Sequence, residues 1–163
     1  MQDLWLGARL LLLLAVANIT PIAAKNLLGA RWAWPLDGGI CLPDGRPLLG
    51  PSKTVRGVVV AVGACMLCAL LMGLPVEVGA LAGAGAMAGD ALSSFIKRRL
   101  AIEPSGQAFG LDQIPESLLG LLAVRFALDV PLLQVAAITI AFALLEIPLA
   151  RLAHRLGLRD RPY

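Results

Sequence analysis

Five apolar stretches separated by polar breaks organise the chain: Leu4 to Ala24, Val55 to Leu74, Val76 to Ile96, Leu118 to Val130 and Leu132 to Ala150. A helix needs roughly 20 apolar residues to cross a bilayer, and about 17 at the short end. The fourth stretch is shorter than that and is interrupted by Arg125. A lipid-facing Arg at mid-depth costs about 2.5–3.5 kcal/mol, so this segment is expected to be tilted or shielded by protein. The fifth carries Glu146 near its far end. The pattern predicts an all-α, polytopic membrane protein of about five transmembrane helices.

Composition agrees. Of the 163 residues, 58% are hydrophobic and 15% charged, and the mean hydropathy is +0.80; soluble domains sit near half apolar and about a quarter charged. The length leaves no room for a separate soluble domain beside the apolar runs, so residues 1–163 are expected to form one membrane-embedded domain. Any chemistry must then sit on the helices and the loops between them.

Lys and Arg in short loops stay on the cytoplasmic side, and here the cations fall on alternate connections. Lys25, Arg31, Arg46, Lys53 and Arg56 lie in or beside the loop after the first stretch. Lys97, Arg98 and Arg99 follow the third, and Arg151, Arg155, Arg159 and Arg161 follow the fifth. The opposite connections carry Glu77 and Asp129, with Arg9 a minor exception. An odd number of crossings places the N-terminus outside, and both long loops and the C-terminus in the cytoplasm. A cleaved leader is the rival reading of the "LLLLLAVA" run, but Asp3 stands where a basic flank belongs and the apolar character continues to Ala24. Cys65 and Cys68 lie inside an apolar helix with no second pair, which suits small packing residues better than metal or redox ligands; Cys41 is alone.

The third stretch carries Gly79, Gly83, Gly85 and Gly89, a thin flank that lets other helices approach closely, and ends in "GDALSSFIKRRL". Asp90 is therefore expected to face protein. By itself it reads as a polar interhelical contact as readily as a functional group, and Lys97-Arg98-Arg99 as a basic flank. The loop ahead of the fourth stretch, Gly110-Leu111-Asp112-Gln113-Ile114-Pro115-Glu116, brings further carboxylates to the same membrane side. Acids and Pro115 also suit a helix start. Carboxylates beside a cluster of cations meet the needs of a magnesium–nucleotide site, in which hard oxygens hold the metal and Lys and Arg hold phosphates.

The first long loop, "PLDGGICLPDGRPLLGPSKTVRG", adds two Asp-Gly turns whose backbone N–H groups can converge on an anion, and opens the next helix with Ser52-Lys53-Thr54-x-Arg56-Gly57. It also reads as a turn-rich loop with basic flanks. It is not a Walker motif.

Lys53-Thr54-x-Arg56-Gly57, then Gly89-Asp90 with Ser94-Phe95-x-Lys97-Arg98-Arg99, then Leu111-Asp112-Gln113, in that order and spacing, resemble the CDP-archaeol synthase family, compact relatives of the CDP-diacylglycerol synthases. The likeness covers nearly the whole chain, including Asn18, Pro21 and Asp37-Gly38-Gly39. It implies a multi-pass enzyme of the cell membrane, with its site on the cytoplasmic side, that joins CTP to a lipid phosphate with Mg²⁺ and releases pyrophosphate in phospholipid biosynthesis. Carried onto this sequence, it implies Asp90 and Asp112 as metal ligands with Glu116 beside them, and Asp90, Asp112 and Lys97 as the catalytic set. Lys53, Thr54 and Arg56 would grip the triphosphate, Lys97 and Arg98 with Ser94 would hold the lipid phosphate or pyrophosphate, and Asp37, Gly38 and Gly39 would line the nucleotide pocket. Membrane lipids are the expected surroundings, and no nucleic-acid partner is expected.

Where archaeal members carry another acid and an aromatic soon after Asp-Gln, "DQIPESLLG" stands here. The lipid is thus open between an isoprenoid glycerol phosphate and a diacyl phosphatidic acid. A CTP-dependent lipid kinase would use similar groups but would not need the spare cations of Lys97-Arg98-Arg99. An anion transporter would show related halves and charges near mid-membrane; no internal repeat is seen, and these charges gather on one side.

Overall fold

The computed structural model describes residues 2–103, 106, 108–155 and 157, in which the chain forms five helices: α1 Gln2–Leu28, α2 Val55–Leu71, α3 Val76–Arg99, α4 Gln113–Val124 and α5 Leu132–Arg155. Among the described residues there is no strand, and the only sheet-like pairing is two isolated bridges in the first loop. Two helices, over Leu4–Leu28 and Leu132–Leu152, are long and apolar enough to cross a bilayer.

α3 is the central element and packs against α2, α4 and α1. Its four glycines divide into two faces. A Cβ on Gly79 would lie 2.3 Å from the Cys65 carbonyl oxygen, and one on Gly83 2.9 Å from the Val62 Cα, both on α2. A Cβ on Gly85 would lie 2.6 Å from the Leu119 carbonyl oxygen, and one on Gly89 2.1 Å from that of Pro115, both on α4. Each face is a small-x-x-x-small step, and neither neighbour could come so close over a larger side chain. The single thin flank expected from the sequence is two.

Leu10, Leu13, Leu14 and Ala17 of α1, Ala61 and Cys65 of α2, Val78 and Ala82 of α3, Leu121 and Val124 of α4, and Val135 and Phe142 of α5 close the core. Cys65 is fully buried with its thiol 3.5 Å from the Leu13 carbonyl, a packing role. Arg9 lies over the Trp5 ring at 5.1 Å, which gives this cation near the start of α1 an aromatic partner.

The fourth segment differs from the expectation. The helix begins at Gln113, ahead of the expected Leu118, and Arg125 does not interrupt it but caps its C-terminus, exposed. Gln113, Glu116 and Ser117 are buried against protein, so the first turns of α4 are polar because they face the bundle and not lipid. At 12 residues it is about 18 Å long, short of the roughly 30 Å hydrocarbon core.

Candidate active site

Asp90, Ser94 and Lys97 stand at i, i+4 and i+7 on α3 and therefore on one face, with Asp90 and Lys97 about 10 Å apart along the axis. A lysine–aspartate pair forms at each end of this row. Lys53, just ahead of α2, places Nζ 2.6 Å from both Asp90 carboxylate oxygens. Lys97 Nζ lies 2.5 Å from Asp112 Oδ1 at the start of α4. Ser94 is buried between them.

Lys53, Asp112 and Lys97 are each held from behind. Leu36 N–H donates to the Lys53 carbonyl and Val55 N–H to the Trp34 carbonyl, so the two ends of the first loop are laced where Lys53 emerges. Thr54 caps α2, its hydroxyl accepting from Gly57 N–H at 3.1 Å. Asp112 does not cap α4 forward; its Oδ2 accepts from Ala108 N–H behind it at 3.1 Å. Lys97 also donates to the Gly106 carbonyl, at 3.1 Å.

Arg98 is 4% exposed. Its Nη2 donates to the Glu103 carbonyl at 3.0 Å, while its Nε and Nη1 are buried without a hydrogen-bond partner among the described residues. Buried donors of this kind are costly unless an acceptor completes them, and a phosphate oxygen is the acceptor that a guanidinium fork matches best.

Other basic residues spend their terminal nitrogens on the scaffold, although Arg56 Nε and Arg99 Nε, like Arg98 Nε, are buried without a hydrogen-bond partner among the described residues. Arg56 Nη1 donates to the carbonyls of Gly29 at 2.9 Å and Arg31 at 2.5 Å, fastening the chain just past the end of α1. Arg99 pairs with Asp44 at 2.5 Å and donates to the Pro47 carbonyl at 2.7 Å; Arg46 in return donates to the Arg99 carbonyl at 2.9 Å. This reciprocal clamp closes the end of α3 and pins the first loop over it.

Asp37 is buried and organises that loop. Its Oδ1 accepts from Gly39 N–H at 3.0 Å, and its Oδ2 from Leu49 N–H at 2.8 Å and Gly50 N–H at 3.2 Å. Burial by itself would raise its pKa, but the N–H groups of Leu49, Gly39 and Gly50 outweigh that and hold the carboxyl below its usual range. Gly38 and Gly39, with φ of 62° and 79°, occupy the left-handed region that lets the loop wrap this carboxylate. These three residues shape the loop through contacts within it.

Glu116 is buried in α4 and faces α1. Asn18 Nδ2 donates to its two oxygens at 3.2 and 3.0 Å and reaches Glu146 Oε1 on α5 at 3.5 Å. This three-helix polar junction went unrecognised from sequence, although a polar residue inside an apolar span is the available signal at Asn18 and Glu146.

Among the described residues, no group of three or more His, Cys, Asp or Glu side chains is placed to hold a metal ion. The carboxylates present still suit Mg²⁺, which commonly takes one or two protein carboxylates and completes its shell with phosphate oxygens and water. Asp90 and Asp112 are such hard donors, each now facing a lysine that a phosphate could draw away.

The profile of the family described as CarS-like: CDP-archaeol synthase matches residues 4–163. A CDP-archaeol synthase of Aeropyrum pernix is 42% identical over 157 residues, covering 91% of this chain and 86% of its own. That of Hyperthermus butylicus is 36% identical, covering 91% and 95%. A solved structure of an intramembrane enzyme for archaeal membrane lipids biosynthesis superposes with a TM-score of 0.67 at 35% identity, covering 86% of this chain and 89% of that one. With its five-helix membrane fold and a match over nearly its whole length, this chain belongs to the CDP-archaeol synthase family.

Proposed function

We propose that this chain transfers the cytidylyl group of CTP to a lipid phosphate of the archaeal isoprenoid-ether type, giving a CDP-lipid and pyrophosphate. A non-bridging oxygen of the lipid phosphate forms a bond to the α-phosphorus of CTP, and the bond from that phosphorus to the α–β bridging oxygen breaks. Family membership supports the reaction class. The observation that carries the site is the pair of lysine–aspartate contacts at the two ends of one α3 face.

No side-chain nucleophile is needed, so the protein's work is positioning and charge stabilisation. Lys53 and Lys97 leave their aspartates for phosphate oxygens, Arg98 brings its unpartnered Nε and Nη1 to the same anions, and Ser94 lies between. Asp90 and Asp112, released from the lysines, would hold Mg²⁺, whose charge supports the developing negative charge on the phosphoryl oxygens. Arg56 and Asp37 act at one remove, by fixing the loop that delivers Lys53. Glu116 joins the site from the side of Asn18. The cations of the first loop and of the α3 terminus set the site at the cytoplasmic face, with all five helices making up the membrane-embedded body.

The deciding experiment supplies purified protein with Mg²⁺ and CTP labelled either on cytidine or on the γ-phosphate. Geranylgeranylated glycerol phosphate, phosphatidic acid and a neutral isoprenoid alcohol are the acceptors. Cytidine label in the geranylgeranylated lipid is the expected result. Label in phosphatidic acid alone would reassign the lipid, γ-label alone would make the protein a kinase, and no label in any of the three would overturn the reading.

A further inference from the structure

Between α1 and α5 runs a cavity of about 280 Å³, walled by apolar residues such as Leu11, Ala15, Phe142 and Leu149, with Asn18 and Glu146 prominent among its few polar side chains. The geometry points to this groove as the seat of one hydrocarbon chain of the lipid substrate, with Asn18 and Glu146 partway along its length. The assignment rests on the cytidylyltransferase reading and adds to it where the apolar part of the acceptor lies.

Three observations carry it. Its two walls belong to the two helices that, among the described residues, are long and apolar enough to cross the bilayer, which suits an occupant that arrives through the membrane. Its size is close to the lower end of ligand pockets, about 300–1,000 Å³. It is also continuous with the chemistry: Asn18 on its wall donates to Glu116, and Glu116 sits where α4 is pressed against Gly89, next to Asp90. A chain lying along Ala15 and Phe142 therefore runs past Asn18, whose partner Glu116 packs beside Gly89, the residue before Asp90.

Two measurements test this. In the first, wild-type protein is irradiated with a lipid phosphate carrying a diazirine in its chain, and in parallel with a phosphocholine lipid of the same chains; labelled residues are read by mass spectrometry. The expected label falls on α1 and α5 residues of the groove, is displaced by excess unlabelled lipid phosphate, and is weak with the phosphocholine lipid. Equal labelling by both lipids, or label that lipid phosphate does not displace, would mean ordinary membrane lipid and overturn the assignment. In the second, Ala15→Trp fills the groove, and Ile140→Trp, exposed on α5 away from it, serves as control. The ratio of kcat/KM for long-chain over short-chain lipid phosphate should fall roughly tenfold or more in Ala15→Trp, as when two methylenes leave an apolar site, and stay at the wild-type value in Ile140→Trp. An unchanged ratio in Ala15→Trp would sink the groove while leaving the reaction intact. If wild-type protein transfers cytidylyl to no lipid, the function falls, and the labelling pattern still decides the groove.

Discussion

Lys53, at the end of the first loop, and Asp90, on α3, face each other with Nζ 2.6 Å from each carboxylate oxygen. A lysine so placed neutralises a carboxylate until a better anion arrives, and a carboxylate so placed holds the lysine in reach of that anion. If the pair were only a strut, removing both charges together would leave turnover near wild type. Lys53→Met, Asp90→Asn and the double variant are each expected to lose at least ~100-fold in kcat/KM, comparable to removing one charge-stabilising group from a transition state. Steady-state kinetics beside a thermal melt checks this: a double variant that melts normally and turns over normally would reduce the pair to a structural contact.

Much of this site could be read along the chain, and the parts that could not share a cause. Asp90, Ser94 and Lys97 share a face because helical spacing dictates it, and the five helices followed from the apolar stretches, α4 with a displaced start. The start of α4 was hidden because Gln113, Glu116 and Ser117 look like loop by hydropathy, whereas they are buried against other helices. The partner of each charge was hidden as well. Lys53 and Asp90 are 37 residues apart, and nothing local separates Arg98, with two unpartnered nitrogens, from its neighbour Arg99, spent on Asp44 and Pro47. Arg99's contacts are set by how the first loop folds over the end of α3, and its Nε stays unpartnered among the described residues.

Arg56 offers a direct test of that division. The resemblance places it on the triphosphate, but its Nη1 serves the Gly29 and Arg31 carbonyls. Arg56→Ala should therefore destabilise the protein by about 1.5–3 kcal/mol, the range for hydrogen bonds from a charged donor, while the affinity for CTP in the folded fraction changes little. Thermal unfolding paired with CTP titration separates the outcomes; a large loss of CTP affinity without loss of stability would return Arg56 to the nucleotide.

Gly89 sets how closely α4 can approach Asp90. A Cβ there would meet the Pro115 carbonyl oxygen at 2.1 Å and the Glu116 Cα at 2.6 Å, and backbone cannot rotate aside as a side chain can. Gly89→Ala should cost about 1–3 kcal/mol through forced separation of the helices, and activity should fall with it as Asp90 and Asp112 move apart. Gly63→Ala, where a Cβ meets nothing within 4 Å, is the matched control and should be neutral or slightly stabilising. Equal behaviour of the two variants in melting and turnover would contradict the close α3–α4 contact.

The pH dependence of the first loop follows from Asp37. Burial works against its ionised form, but three backbone N–H groups more than compensate, and the folded pKa lies below the ordinary value of 3.8. A carboxylate with a depressed folded pKa adds stability that is present above the unfolded pKa and is lost as pH falls through the folded one. Asp37→Asn keeps one acceptor oxygen but loses the charge, so at neutral pH it should weaken the loop by about 1 kcal/mol, the difference between charged and neutral acceptors. That deficit should persist at every pH well above 3.8 and shrink as pH falls below 3.8 through the depressed folded value, where the wild-type carboxyl takes up its proton. Limited proteolysis within residues 36–50 reads the loop directly: the variant should be cut faster than wild type at pH 7, and with an acid-active protease the gap should narrow as the pH is taken below 3.8. A gap that widened on acidification would mean that Asp37 is not held in its ionised form by Leu49, Gly39 and Gly50.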